Sequence, residues 1–178
     1  MKMQLRLTGS GGQGVILASV ILAEAAVIAG KYTAQSQSYG PEARGGSCKA
    51  ECVISDSEIA FTKVTEPTFL LALTQKALYQ YIQNLPEDAL VVIDASLRAP
   101  AGIKNRVVSL PILDTAKNVV GKAFTANIVA VGAINRLLHI VSDKEIEGAV
   151  MLHIPAGTEE INRKALAAGE ALVAASEV

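Results

Sequence analysis

Six consecutive residues near the start of the chain, Gly9-Ser10-Gly11-Gly12-Gln13-Gly14, constrain the fold more than any other stretch. They follow a short alternating run, Met3-Gln4-Leu5-Arg6-Leu7-Thr8, and open a fifteen-residue stretch, Val15 to Ala29, in which only Ser19 and Glu24 are polar. That order predicts a strand, a glycine turn and a helix, the opening unit of an open α/β sheet. Such a turn leaves backbone N–H groups free at the positive end of the helix dipole, where an anion, above all a phosphate, is stabilised. Gly9, Gly11 and Gly14 satisfy the Gly-x-Gly-x-x-Gly spacing of dinucleotide sites, but tight strand-to-helix turns with no ligand use the same spacing.

What is missing around the turn narrows the choice. A nicotinamide or flavin site needs an acidic residue at the end of the second strand, about 20 residues on, to hold the ribose hydroxyls. Between Gly14 and Glu42 the only acid is Glu24, which falls in the middle of the helix. A nucleoside triphosphate loop needs Lys and then Ser or Thr straight after the last glycine. Val15-Ile16 stand there instead, which argues against ATP hydrolysis.

A length of 178 residues fits one domain, 1–178. The formal net charge of −1, with both signs spread along the chain, offers no basic stripe for nucleic acid or an anionic membrane. Apolar residues make up 51% and charged ones 19%, with a mean hydropathy of +0.36, so some apolar surface is expected to meet a partner. A homodimer of the isolated chain is among the expectations. The longest apolar run, the fifteen residues after the turn, is shorter than the roughly 20 that span a bilayer. With no membrane anchor and no signal peptide read at the N-terminus, the expected location is the cytoplasm. Cys48 and Cys52 lack the spacing of zinc or iron–sulfur ligands. On one strand they would share a face about 13 Å apart, beyond disulfide reach, and are expected to be small buried hydrophobes.

Taken in order, the first helix has no polar face, which marks a helix buried on all sides or covered by another subunit. Lys31–Gln35 reads as a second strand. It runs into Ser36–Gly46, a stretch dense in glycine and hydrogen-bonding groups whose one aliphatic side chain is Ala43, which reads as a long specialised loop. Within it Arg44 suits a phosphate or a carboxylate, or equally a structural pairing with Glu42 or with carbonyls. Ser47–Ser55 alternates as a half-exposed strand with Lys49 solvated, and Ile59-Ala60-Phe61 is expected to return beside it as a hairpin.

Thr68–Leu73 and Leu90–Asp94 read as strands buried on both faces, as in a parallel sheet. Thr74 caps the helix between them, and Pro86 marks its stop. Asp94 and Ser96 fall at the sheet edge where ligands bind, though a turn-forming pair is the plainer reading. Arg106–Leu110 is a further strand, and Thr125–Ile140 a helix carrying Asn127 and Asn135, each ligand-facing, solvated or tied to backbone. Ser142–Glu145 is a capping box, and a last helix follows Pro155–Thr158. The resulting fold class is a three-layer α/β protein, a mostly parallel open sheet with helices on both faces and a hairpin after the second strand. No nucleophile–base pair and no paired carboxylates stand out, so no catalytic residue is assigned.

Two segments together, Leu7-Thr8-Gly9-Ser10-Gly11-Gly12-Gln13-Gly14-Val15 and Gln35-Ser36-Gln37-Ser38-Tyr39-Gly40-Pro41-Glu42-Ala43-Arg44-Gly45-Gly46, resemble the gamma subunit of the 2-oxoacid:ferredoxin oxidoreductases. The resemblance covers essentially the whole chain, and the second segment is most similar to its form in the 2-oxoglutarate enzymes. It implies a multi-subunit enzyme that decarboxylates a 2-oxoacid on thiamine diphosphate, passes electrons through iron–sulfur clusters to ferredoxin and transfers the acyl group to coenzyme A. The thiamine diphosphate and the clusters would be carried by partner alpha, beta and delta subunits. This chain would hold coenzyme A, through a set comprising Gly9, Ser10, Gly11, Gly12, Gln13, Gly14 and Arg44. In that set the glycines admit the ligand to the backbone, Gln13 supplies an amide, and Arg44 faces either a coenzyme A phosphate or a subunit interface. Two other readings stand beside it: a nicotinamide-dependent dehydrogenase, and an architectural subunit whose turn holds nothing.

Overall fold

The computed structural model describes residues 1–39 and 47–176. Its frame is a six-stranded sheet in the order β2-β3-β1-β4-β5-β6. The strands are β1 (Lys2–Ser10), β2 (Tyr32–Tyr39), β3 (Ser47–Ser55), β4 (Phe69–Ala72), β5 (Leu90–Asp94) and β6 (Val107–Leu110). From β1 to β6 neighbouring strands are parallel, while β3 runs antiparallel to both its neighbours, β1 and β2. The expected fold class, a mostly parallel α/β sheet, is the one found.

Alternation along the strands sorts side chains between two covering layers. On one face Leu5, Leu7, Cys52, Ile54, Phe69, Leu71 and Val92 join a core with α1 (Val15–Ile28), α4 (Ala126–Leu138), α5 (Asp143–His153) and α6 (Glu159–Ser176). On the other, Leu70, Ala72, Val91 and Ile93 meet Leu78 of α2 (Gln75–Ile82) and Leu85. Each Leu or Phe so buried stabilises the fold by about 1.5–3 kcal/mol relative to exposure. Between β6 and α4 the chain forms a short α3 (Ile112–Asp114), a π-helical segment (Thr115–Val120) and a 3-10 turn (Ala123–Thr125).

Local signals place several boundaries. Thr74 caps α2, its hydroxyl accepting from the Ala77 N–H at 3.3 Å. Ser142 and Glu145 close a reciprocal capping box on α5. The apolar α1 is largely enclosed, packed on β1, β2 and β3 and against α4 and α5, with Val27 and Ile28 exposed at its end.

The region from β2 to the start of β4 departs from expectation. Ser36–Tyr39, expected in a loop, continues β2, because Ser36, Gln37 and Ser38 pair with Glu51, Ala50 and Lys49 of β3. Ile59-Ala60-Phe61 forms no strand. β3 already has a neighbour on each side, so its ladder has no edge left for a returning strand, and the hairpin consists of β2 and β3. Nor is β3 half-exposed. Glu51 is buried between Arg6, at 2.7 Å, and Lys49, at 3.1 Å, and both cations lie over the ring of Tyr81 from α2. Lys49 is therefore paired rather than solvated. The polar alternation is real, but this polar row is roofed by an aromatic side chain.

Candidate functional site

β1 ends at Ser10, whose carbonyl accepts the Gln13 N–H at 3.2 Å to form a tight turn. The Gln13 side chain folds back over it. Its Oε1 accepts the Ser10 N–H at 2.8 Å, and its Nε2 donates to the Leu73 carbonyl at 3.4 Å, pinning the turn to the chain just past β4. Gly9 leaves room for this arrangement, since a Cβ there would stand 2.5 Å from Gln13 Oε1. Gly12 (φ +94°) and Gly14 (φ +74°) occupy left-handed conformations that other residues adopt at a cost.

Gly14 is the N-cap of α1, its carbonyl accepting the Ala18 N–H at 3.0 Å, with no side-chain cap and no acid in the first turn. The N–H groups of Gly11, Gly12 and Gly14 find no acceptor among the described residues. To these the first turn of α1 adds its own unpaired donors. Gly11 and Gly12 are exposed, while Ser10, Gln13 and Gly14 are half-buried and Gly9 is buried. The turn lies where the chain leaves β1 for β2 and β3 on one side and returns as β4 on the other, the switch point at which open α/β sheets bind ligands.

Six of the seven residues expected to bind a ligand thus belong to one turn; Arg44, the seventh, lies outside the described residues. The strand order adds what the sequence does not show. β3 stands between β1 and β2, so the end of β2, where a dinucleotide-binding acid would sit, is one strand removed from the glycine turn. Asp94 resolves as the turn former. Its Oδ1 accepts from the Ser96 N–H at 3.0 Å and the Ser96 hydroxyl at 2.5 Å, and its Oδ2 accepts the Leu113 N–H at 2.8 Å.

Asn135 is likewise closed on backbone, exchanging two hydrogen bonds with Val141. Asn127 is different. It comes from the start of α4 and packs against Gly14, a contact that no spacing in the sequence announces. Burial pushes the Cys52 thiol up to about 12 and raises that of Cys48, so neither is a ready thiolate at neutral pH. A cavity of about 650 Å³, walled by residues including Val120, Lys122, Phe124, Ile161 and Lys164, lies between the π-helical segment and the start of α6. None of the glycine-turn residues lines it.

The fold is that of an open α/β protein with an uncapped glycine turn at the switch point of its sheet. Residues 4–172 match the pyruvate ferredoxin/flavodoxin oxidoreductase family, and the chain belongs to that family. It is 42% identical over 95% of its length to the 2-oxoglutarate synthase subunit KorC of Methanocaldococcus jannaschii, of which it covers 92%. The crystal structure of a keto/oxoacid ferredoxin oxidoreductase gamma subunit from Geobacter sulfurreducens superposes with a TM-score of 0.88 at 43% identity, covering 99% of this chain and 98% of that one. A 2-oxoglutarate:ferredoxin oxidoreductase from Magnetococcus marinus, with 2-oxoglutarate, coenzyme A and succinyl-CoA bound, shares the fold with a TM-score of 0.86 at 22% identity. The alignment spans 98% of this chain and 31% of that longer one.

Proposed function

We propose that this chain is the gamma subunit of a 2-oxoglutarate:ferredoxin oxidoreductase and that its glycine turn holds a phosphate of coenzyme A. The observation that carries the second half is the row of unpaired N–H groups at Gly11, Gly12 and Gly14, ahead of a helix with neither cap nor acid in its first turn. A phosphate supplies the missing acceptors and the complementary charge. The complete enzyme oxidatively decarboxylates the 2-oxoacid to its acyl-coenzyme A with reduction of ferredoxin. The thioester step needs this substrate held by its phosphates while its thiol reaches the acyl intermediate. The Magnetococcus marinus enzyme, whose structure carries coenzyme A, supports the reading through a shared fold.

Thiamine diphosphate and the iron–sulfur clusters are assigned to partner alpha, beta and delta subunits. Among the described residues no group of three or more His, Cys, Asp or Glu side chains is placed to hold a metal ion. Arg44 is proposed to face a coenzyme A phosphate or a subunit interface. No helix among the described residues is long and apolar enough to cross a membrane. The nicotinamide reading loses ground to the strand order, because β3 separates the end of β2 from the turn.

Calorimetric titration of the chain, alone and assembled with its partners, tests the proposal with coenzyme A and NAD as ligands. Binding of coenzyme A to the assembly, weakened at least tenfold by Gly12→Ala, is the expected result. NAD binding without coenzyme A binding would overturn it.

A further inference from the structure

Asn127 occupies the second position of α4, and only 7% of its surface is exposed. Its Oδ1 accepts the Ile128 N–H at 3.0 Å, which fixes the orientation of the amide. The side chain lies alongside Gly14, where an added Cβ would stand 2.8 Å from Nδ2 and 2.9 Å from both Cβ and Cγ. No acceptor for that NH2 group exists among the described residues. An amide donor on a side chain this enclosed, beside an anion-type turn, is placed to meet an acceptor from outside the chain.

Two comparisons inside the molecule sharpen this. Asn135, on the same helix, satisfies both ends of its amide on Val141. Among the described residues, the buried side-chain polar atoms sealed from solvent without a partner are Ser19 Oγ and His153 Nε2. Asn127 Nδ2 is not one of them, so it is unpaired and still reachable from outside. An orphan sealed in the core can only be tolerated, whereas an orphan open to the turn can be answered by a ligand.

We propose that Asn127 is a ligand-binding residue of the glycine-turn site, its Nδ2 donating a hydrogen bond to an oxygen of the anion that the turn holds. The inference rests on the reading of the turn as a coenzyme A phosphate site and adds a wall from a distant element. The backbone N–H groups of Gly11, Gly12 and Gly14 meet the phosphate along the axis of α1. Asn127 meets it from the side, beside Gly14. A donor there favours an ionised acceptor oxygen and disfavours a cation, so the site selects for charge as well as for fit.

The test uses the assembled oxidoreductase, with KM and kcat measured separately for coenzyme A and for the 2-oxoacid. Asn127→Ala removes the donor and is expected to raise the KM for coenzyme A by about tenfold or more, in the range for a hydrogen bond to a charged group, with kcat and the KM for the 2-oxoacid within about twofold of wild type. Asn127→Asp preserves the shape and the acceptor for Ile128 but sets a carboxylate against the anion, and is expected to raise that KM further than Asn127→Ala. A merely structural role reverses this order, because the isosteric variant would then be the milder one.

Gly12→Ala separates the two levels of the argument. If it raises the KM for coenzyme A while both Asn127 variants leave that KM within twofold, the role of Asn127 is overturned and the turn keeps its ligand. If all three leave it unchanged, the coenzyme A site itself is overturned. Should Asn127→Ala fail to assemble, Asn127→Asp decides alone, since a KM within twofold of wild type rules the proposal out.

Discussion

The molecule uses glycine in two places for opposite ends. Where α4 crosses α6, Gly132 and Gly169 let two backbones touch. A Cβ on Gly132 would overlap the Leu166 carbonyl, and one on Gly169 the Val129 carbonyl. There the glycines serve the packing of one regular helix on another. In the turn from Gly9 to Gly14 the glycines do the reverse, spending conformational freedom on a geometry that leaves donors unpaired. Close approach alone is therefore a mark of a core, and close approach combined with unanswered N–H groups is a mark of a site.

The sharpest way to break this contrast is Gly169→Ala. In a helix with free space around it, alanine in place of glycine stabilises by about 1 kcal/mol. Here the added methyl meets backbone, which cannot swing aside, and overpacking of that kind costs about 1–3 kcal/mol and on occasion more. A lowered urea midpoint with an unchanged slope is the expected outcome, together with an unaltered KM for coenzyme A in whatever fraction assembles. A rise in stability would show that α4 and α6 are not in backbone contact.

Gly14→Ala comes next, because it belongs to both categories. The left-handed φ of +74° costs a non-glycine residue about 1–2 kcal/mol, and the new methyl also meets Asn127. Combining Gly14→Ala with Asn127→Ala removes the contacts with the Asn127 amide and leaves the backbone strain and the contact with the Cβ at position 127, at 2.9 Å. The double variant is thus expected to be more stable than the sum of the single effects allows, by about 0.5 kcal/mol or more in a double-mutant cycle. Strict additivity would place Asn127 away from the turn.

Gly12→Ala sits at the functional extreme. Nothing lies within 4 Å of a Cβ at that position, so the strain of φ +94° is the whole stability cost, about 1–2 kcal/mol. The methyl points into open space, where the proposed phosphate would lie. A small loss in melting temperature is expected beside a loss of coenzyme A affinity of at least tenfold. Equal, small effects on both would place the ligand elsewhere.

Much of this was readable from the chain. The strand–glycine–helix order, the buried run of β5, the Thr74 cap and the Ser142–Glu145 box are local features, set by residues within a turn of one another, and local chemistry decided them. The neighbours of β3 were not legible. Alternation along a strand reports which side chains share a face but not which strands lie beside it, and here β3 inserts between β2 and β1. The solvated reading of Lys49 failed for the same reason, since Tyr81 arrives from another element to cover it. In the site, the turn was legible and its lateral wall was not. Asn127 and Gly14 meet only because α4 packs against α1. A buried asparagine in a helix looks the same in sequence whether its amide is answered, as in Asn135, or left open.

The opposite end of β1 gives the mildest test, because there the charged groups answer one another. Asp56 bridges the amino group of Met1, at 2.7 Å, and Lys31, at 2.8 Å, tying the start of β1 to the joint between α1 and β2. Hydrogen bonds from Lys31 and the N-terminus pull its carboxyl down from the ordinary 3.8 to about 2. A carboxyl whose folded value is depressed contributes stability that is fully present above its unfolded value and is lost as pH falls through the folded one. Asp56→Asn should accordingly lower the melting temperature slightly at pH 5–7, with the difference shrinking toward nothing as pH falls through about 2. The group is exposed, so solvent screening keeps the effect small and 0.5 M salt should erase most of it. A gap between wild type and variant that persists into strong acid would mean that Asp56 acts through packing or through its backbone turn. That end of the sheet would then owe nothing to the charge pairing that sets it apart from the open turn.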